Sequence, residues 1–245
     1  MRSVGLDSQS RRGFLLFSFF VKHLLLWDID GTLLASGGSG MRALRISLNN
    51  GFGIDGSLDD IDWSGRTDRF ILRQILAKFR LPTTQENFDR LLDGYIALLP
   101  EELNRSARIL PGVKGLLDTA AARADVSQGL LTGNIDRGAK AKLIHHGLWE
   151  YFPFGAFAND SELRNDLGPF ALRRAAAHTG VTFSPEQVWI IGDTPHDIEC
   201  GKVIGAKTMA VATGRHPIEE LIGHAPTVAF KDLADADLFW RTIES

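Results

Sequence analysis

The sequence predicts an α/β fold in which helices flank a parallel β-sheet. Two observations support this fold class: apolar runs with the length of buried strands alternate with helical patterns, and acidic residues directly follow two of those runs. Strands that alternate with helices are joined by right-handed crossovers and therefore lie parallel. The predicted strands cover residues 24–27, 126–132, 154–158, 187–191, 206–212 and 227–230.

The composition is typical of a globular protein, and 245 residues suffice for one large domain or for a core with a small second domain. The net charge of −3 does not indicate a nucleic-acid partner. No apolar run reaches the roughly 18 residues of a membrane span, so we expect no membrane partner. Cys200 is the only cysteine, which excludes an internal disulfide and fits a cytoplasmic protein.

Residues 1–21 precede the first predicted strand and need a separate interpretation. Arg11 and Arg12, followed by the apolar run 13–21, are similar to the charged and apolar parts of a secretory signal. No small-residue cleavage site follows, and cleavage there would leave no leader to the first strand. We expect residues 1–21 to be an N-terminal extension that is disordered or loosely docked.

Residues 37–105 are predicted to form a helical cap domain inserted into the α/β core. The core would then consist of residues 22–36 and 106–245. The glycine-rich stretch 36–40 opens the inserted segment, and we interpret it as a hinge because the Lys-Ser/Thr of a P-loop does not follow it. Such a cap would cover the carboxyl edge of the sheet.

Helical patterns fill most of this inserted segment. Met41, Leu44 and Leu48 share one face of a first helix that we expect to end at Gly51. Residues 83–86, Thr-Thr-Gln-Glu, have the pattern of a capping box at the start of a later helix. The segment is therefore predicted to be a small helical bundle.

Polar residues follow three of the predicted core strands. Asp28 and Asp30 end the first strand, Thr132 ends the second, and Asp193 and Asp197 follow the strand at 187–191. On its own, the first of these turns could be an ordinary β-turn with an Asx cap. Parallel strands present their carboxyl ends at one edge of the sheet, where open α/β sheets bind ligands. Two carboxylates about 4 Å apart repel by about 4 kcal/mol at an effective dielectric constant of about 20. The cluster therefore predicts a cation, and hard oxygen ligands favour Mg²⁺.

Three segments together carry a family resemblance: Asp-Ile-Asp-Gly-Thr-Leu at 28–33, Leu-Thr-Gly-Asn at 131–134 and Gly-Asp-Thr-Pro-His-Asp at 192–197. In order and spacing they resemble the motifs of the haloacid dehalogenase superfamily. The layout is most similar to the phosphoglycolate phosphatase and β-phosphoglucomutase branch, in which a helical cap follows the first motif. The resemblance implies a three-layer Rossmann-like core.

The resemblance also implies roles for these residues. Asp28 would attack phosphorus and form an aspartyl-phosphate, while Asp30 would protonate the leaving alcohol and later deprotonate water. Mg²⁺ would be held by Asp28, Asp193 and the backbone carbonyl of Asp30. Asp197 would orient a metal-bound water or the phosphate-binding cation. The phosphate oxygens would be bound by Thr132, Gly133 and Asn134.

The chain departs from the family pattern at one position. The family usually carries a lysine before the helix that leads to the last acidic strand, but no lysine lies between Lys142 and Lys202. Arg164 is the cation nearest to the expected position, and a guanidinium can neutralise phosphate in a bidentate way. Arg164 is therefore predicted as the substitute, with Lys142 as the next candidate.

A second arginine lies between two predicted cap helices, in the segment 63–68. The branch often carries Gly-Arg-Thr-Asp here, facing the active site, and residues 65–68 match it. Arg66 could therefore contact a carboxylate or a second phosphate of the substrate. The alternative is a structural salt bridge on the surface.

The function that these residues predict is a Mg²⁺-dependent phosphatase acting on a small phosphomonoester, phosphoglycolate-like or a sugar phosphate. A phosphomutase of the same branch is one alternative. A binding or regulatory protein that keeps the fold without turnover is the other. A haloacid dehalogenase or a phosphonate hydrolase is disfavoured, because Asp30 has no role in the first and is normally alanine in the second.

Overall fold

A computed structural model describes residues 21–245 and confirms the predicted α/β fold. Residues 1–20, which make up nearly all of the expected N-terminal extension, lie outside the described residues. Eight strands are present in this part of the chain: β1 His23–Trp27, β2 Leu34–Ala35, β3 Arg108–Ile109, β4 Val126–Leu131, β5 Gly155–Ala156, β6 Val188–Gly192, β7 Lys207–Val211 and β8 Val228–Phe230.

Helices surround these strands on both sides and also form the inserted segment. They are α1 Ser39–Phe52, α2 Asp68–Lys78, α3 Gln85–Ser106, α4 Val113–Ala122, α5 Asp136–His145, α6 Leu167–Thr179, α7 Pro195–Val203, α8 Ile218–Gly223 and α9 Ala236–Ile243. Short 3₁₀ turns occur at Trp149–Tyr151, Arg164–Asp166 and Pro185–Gln187. Among residues 21–245, no helix has both the length and the apolar content needed to cross a bilayer.

The main sheet has six parallel strands in the order β5-β4-β1-β6-β7-β8. From β1 the chain builds outward through β4 to β5 on one side, and then through β6 and β7 to β8 on the other. The direction of building therefore reverses beside β1. In open α/β sheets, the crevice at such a reversal is where ligands bind.

The central strand β1 is buried on both faces, which explains its uninterrupted apolar sequence. Leu24 and Leu26 belong to an apolar cluster with residues of α6 and α7. Leu25 and Trp27 face the opposite layer with α4, α5 and α9, where Trp27 stacks on Phe239 at 5.7 Å between ring centroids. The strand is thus held rigidly at the point where the acidic residues begin.

The helices α1, α2 and α3 pack around an apolar cluster of their own, which includes Leu48, Ile75 and Leu91. Two linkers join this bundle to the core, and they pair as the antiparallel strands β2 and β3, with Leu34 opposite Ile109. The bundle is docked on the core, because Ile135 belongs to the same apolar cluster. We call α1–α3 with their connecting loops the cap.

Three local expectations were wrong by a few residues. Helix α1 passes through Gly51 and ends at Phe52, because the left-handed position that glycine favours falls at Gly53, with φ of 68°. Helix α3 is capped by Thr84, whose side chain accepts from the amide of Asn87, so the expected box at 83–86 does not form. The strand expected at 154–158 is paired only over Gly155–Ala156.

Candidate active site

The carboxyl end of β1 leads into a tight turn, and the side chain of Asp193 lies close to this turn. Asp28 is 4% exposed, and its amide continues the ladder by donating to the carbonyl of Ile191 at 2.9 Å. Gly31 in the turn has φ of +87°, and a Cβ atom there would lie 2.2 Å from a carboxylate oxygen of Asp193. Glycine is therefore needed at this position, both for the conformation and for the close approach of Asp193.

Asp28, Asp193 and Asp197 form a buried acidic group in which one carboxylate oxygen from each lies within 4.8 Å of the others. Burial and mutual repulsion raise the pKa of Asp28 and of Asp193 above the usual value for aspartate. Carboxylate oxygens gathered in this way could hold a divalent metal ion. The expected third donor, the backbone carbonyl of Asp30, stays a prediction.

Arg164 is the cation beside this acidic group. It lies in the 3₁₀ turn before α6 and is 7% exposed. Its Nη2 lies 2.9 Å from Oδ1 of Asp28 and also binds Asp197, while Nη1 donates to the carbonyl of Gly65 at 3.1 Å. Oδ2 of Asp197 in turn accepts from the hydroxyl of Thr194 at 2.6 Å. When ionised, the three carboxylates and the one guanidinium carry a net charge of −2, which a single divalent cation would balance.

Asp30 lies in a different environment from Asp28. Its Oδ2 accepts from Nζ of Lys142 at 2.5 Å and from Nδ2 of Asn134 at 2.8 Å, and its Oδ1 accepts from the hydroxyl of Ser36. Burial opposes ionisation, but the lysine charge and the hydrogen bonds outweigh it and lower the pKa of Asp30. These contacts therefore favour the carboxylate form of Asp30.

The contact between Lys142 and Asp30 was missed by sequence reasoning, which considered Lys142 only as a substitute cation for the phosphate. A signal was present: Lys142 lies at helical spacing from Ala139 and next to Leu143, both of which are core residues of α5. A lysine on the buried face of an amphipathic helix points inward and needs a partner. That partner is Asp30, which lies 112 positions earlier in the chain.

The second motif forms the opposite wall of the site. Thr132 is fully buried, and its hydroxyl accepts from the amide of Asn134 at 3.3 Å and from Nδ2 of the same side chain at 2.9 Å. Gly133 lies against the cap: its carbonyl accepts from the amide of Asp68 at 2.7 Å, and a Cβ atom there would lie 2.3 Å from the carbonyl oxygen of Arg66. Only glycine lets the cap loop approach so closely.

Cap and core enclose a cavity of about 170 Å³. The core lines it with Asp28, Asp30 and Lys142 among others, and the cap contributes Arg66 and Tyr95. In this structure, the guanidinium of Arg66 donates to Asp62 at 2.7 Å and lies 4.8 Å from the ring centre of Phe70. Asp28, Asp30 and Arg66 thus border one cavity between cap and core.

Comparisons with known proteins bear on the family and the fold of this chain. The family model for haloacid dehalogenase-like hydrolases matches residues 25–202, which is more than half of the chain. The relative named probable phosphatase IndB, from Dickeya dadantii, is 26% identical over 217 residues, covering 85% of this chain and 89% of that protein.

Solved structures show the same fold. A hydrolase from Pseudomonas syringae matches with a TM-score of 0.70 at 21% identity, over 91% of this chain and 100% of that one. A predicted phosphoglycolate phosphatase from Haemophilus somnus matches with a TM-score of 0.68 at 18% identity, over 90% of this chain and 98% of that one. The expected resemblance is confirmed, and the chain belongs to the haloacid dehalogenase-like hydrolase family.

Proposed function

We propose that this hydrolase is a Mg²⁺-dependent phosphatase that cleaves a small phosphomonoester through an aspartyl-phosphate. One observation carries the proposal: Asp28 is buried at the centre of the site, between Arg164 and the carboxylates of Asp193 and Asp197. A carboxylate in this place can attack phosphorus only if cations neutralise both it and the incoming phosphate. Arg164 supplies one positive charge, and Mg²⁺ held by Asp28 and Asp193 would stabilise the charge that develops on the phosphoryl oxygens.

The chemical steps can be written with this chain's own residues. An oxygen of Asp28 attacks phosphorus and the bond from phosphorus to the ester oxygen breaks. Asp30, which must first take up a proton from solvent, passes this proton to the departing alcohol. A water molecule then attacks phosphorus, its proton returns to Asp30, and the bond between Asp28 and phosphorus breaks. Inorganic phosphate is released and both aspartates are restored.

The remaining site residues would position the phosphate and its alcohol. Arg164 would bind phosphate oxygens, together with the hydroxyl of Thr132 and the amides of Gly133 and Asn134. Such positioning and charge stabilisation supply most of what phosphoryl transfer requires. Arg66 would contact the part of the substrate remote from phosphorus, since it lies at the border of the cavity.

The cavity of about 170 Å³ favours a small substrate, phosphoglycolate-like or a sugar phosphate. We propose that the enzyme acts on such metabolites in the cytoplasm. Neither a nucleic acid nor a membrane is needed as a partner in this proposal.

The test is release of inorganic phosphate from 4-nitrophenyl phosphate and from a panel of small phosphorylated metabolites. We expect activity with Mg²⁺, complete loss after exhaustive treatment with EDTA, and recovery when Mg²⁺ is restored. Activity that survives chelation would refute the metal assignment. Transfer of phosphate between positions of one sugar, without net release, would identify a mutase instead.

A further inference from the structure

Lys142 is a buried cation to which the proposed mechanism assigns no role. Its side chain is 6% exposed, although lysine is rarely buried without a partner. Its ammonium lies 2.5 Å from Oδ2 of Asp30 and 2.6 Å from Oδ1 of Asn134. Tyr95 and Asp68, both from the cap, line the same cavity as Lys142, and their side chains interact electrostatically with its ammonium. A core lysine therefore joins the proposed acid/base residue to the cap.

We propose that Lys142 is a positioning residue that holds the Asp30 carboxylate toward the leaving group, with Tyr95 as its contact on the cap. The proposal rests on the proposed phosphatase function and deepens it. Lys142 then acts through Asp30 and not on the phosphate, whose cation is Arg164 beside Asp28.

Asp30 needs such support because it lies beyond the last residue of β1, Trp27. Its side chain is 37% exposed, so packing alone does not fix its orientation. Three side chains direct it: Ser36 at one oxygen, and Asn134 with Lys142 at the other.

Lys142 also fixes the side-chain amide of Asn134. The carbonyl oxygen of this amide accepts from Lys142, which turns its NH₂ group toward Asp30 and Thr132. Loss of the ammonium would therefore leave Oδ2 of Asp30 and the buried Oδ1 of Asn134 short of a donor and release both side chains.

The cap completes the enclosure of the lysine. Tyr95 comes from α3 and is 2% exposed, and Asp68 begins α2 and accepts from the amide of Ile135 at 2.7 Å. A lysine side chain is a flexible stem with a point charge, so its position depends on what surrounds it. Docking of the cap therefore sets the position of Lys142, and through it the orientation of Asp30.

The test compares two aryl esters of similar shape whose leaving groups differ in their need for a proton. Phenol is the poorer leaving group, so phenyl phosphate depends on Asp30 more than 4-nitrophenyl phosphate does. We expect Lys142→Met to lower kcat/KM about 100-fold for phenyl phosphate and less than about 10-fold for 4-nitrophenyl phosphate. Lys140→Met is the matched control, because Lys140 is exposed two residues earlier in α5, over the ring of Trp149. We expect Lys140→Met to leave unchanged the ratio of kcat/KM for 4-nitrophenyl phosphate to kcat/KM for phenyl phosphate.

A second comparison keeps the proposal testable if Lys142→Met alone does not fold. In an Asp30→Asn background the lysine no longer has the carboxylate of Asp30 to position. We expect Asp30→Asn and Asp30→Asn/Lys142→Met to hydrolyse 4-nitrophenyl phosphate within about 2-fold of each other. A further loss of about 30-fold or more would assign Lys142 to the phosphate and overturn the proposal.

Tyr95→Phe tests the contact on the cap. We expect Tyr95→Phe to shift the ratio of kcat/KM for the two esters about 3-fold, in the same direction as Lys142→Met. An unchanged ratio in a folded Lys142→Met variant would overturn the positioning role, and an unchanged ratio in Tyr95→Phe would overturn the part assigned to the cap. If the wild-type enzyme hydrolyses neither ester with Mg²⁺, the proposed phosphatase function itself fails, which is a distinguishable result.

Discussion

Asp28 and Asp30 are two residues apart in the sequence, yet each has its own cation and its own surroundings. Asp28 lies beside Arg164, which is held by Asp197 on α7 and donates to the carbonyl of Gly65 in the cap. Asp30 lies beside Lys142, with Ser36 of the linker as another partner. The core thus builds the first site almost alone, whereas core, linker and cap build the second together.

The difference appears in the electrostatics of the two carboxyl groups. Burial and the neighbouring acids raise the pKa of Asp28, while Lys142 and three hydrogen bonds outweigh burial and lower the pKa of Asp30. Asp28 shares one guanidinium with Asp197 and lies near the further acid Asp193, so its surroundings favour another cation. Asp30 is already paired with the ammonium of Lys142. The comparison therefore supports the proposal of a metal ion beside Asp28.

The largest effect is expected from removing Asp28, the proposed nucleophile, from the site that the core builds. Asp28→Asn should lower kcat for 4-nitrophenyl phosphate by at least about 1,000-fold, because an amide cannot attack phosphorus. Initial rates with Mg²⁺ provide the measurement, and circular dichroism shows whether the fold is kept. Turnover at the wild-type rate would refute covalent catalysis through Asp28.

The next largest effect is expected from removing Arg164, the cation beside Asp28. Arg164→Ala should reduce kcat/KM about 30- to 1,000-fold, and to a similar extent for esters with good and poor leaving groups, because the phosphate is common to them all. Arg164→Lys should recover part of the loss. Arg173→Ala, an exposed arginine on α6 that stacks on Phe170, serves as the control. Near-normal kinetics for Arg164→Ala would move the phosphate-binding role to another residue.

Asp30→Asn sharpens the contrast between the two sites, because its effect should depend on the leaving group. With 4-nitrophenyl phosphate, whose leaving group needs little protonation, we expect a loss of about 10-fold, and with phenyl phosphate a loss about ten times larger. Steady-state kinetics with both esters give the ratio. Equal losses for the two esters would show that Asp30 does not deliver the proton.

The core-built site was largely predictable from the sequence. The apolar run of β1 and the strand before Asp193 place their acids at one edge of the sheet. Arg164 is predicted as the cation there because the expected lysine is missing, and it lies beside Asp28. The alternation of strands and helices predicts parallel strands, whose carboxyl ends share one edge of the sheet. The structure adds the strand order, in which β1 lies between β4 and β6. Local patterns are sufficient here because each residue follows directly from the end of an element.

The site shared with the cap was not predictable in the same way. Lys142 meets Asp30 and faces Tyr95 across sequence separations that no local pattern encodes. The contact depends on how the cap docks, and docking depends on the close approach of Arg66 to Gly133. Periodicity shows which face of a helix is buried, but it does not identify the group that it is buried against.

The smallest effect is expected at the border of the cap, where Arg66 would contact the remote part of the substrate. Its side chain pairs with Asp62, and the two are 37% and 50% exposed. Exposed ion pairs contribute about 0–1 kcal/mol, so a substrate anion can displace Asp62 at little cost. A substrate with a carboxylate should benefit from Arg66, whereas 4-nitrophenyl phosphate has no such group.

We therefore expect Arg66→Ala to lower kcat/KM for phosphoglycolate about 10-fold relative to that for 4-nitrophenyl phosphate, which corresponds to the loss of one charged contact worth about 1.4 kcal/mol. The measurement is the ratio of kcat/KM for the two esters in the wild type and the variant. Arg69→Ala is the matched control, because Arg69 carries the same charge on α2 but stacks on Phe88. If the ratio is the same in Arg66→Ala as in the wild type, Arg66 does not contact the substrate, and its pairing with Asp62 is its structural role. The specificity of the enzyme would then depend on the other cap residues that line the cavity.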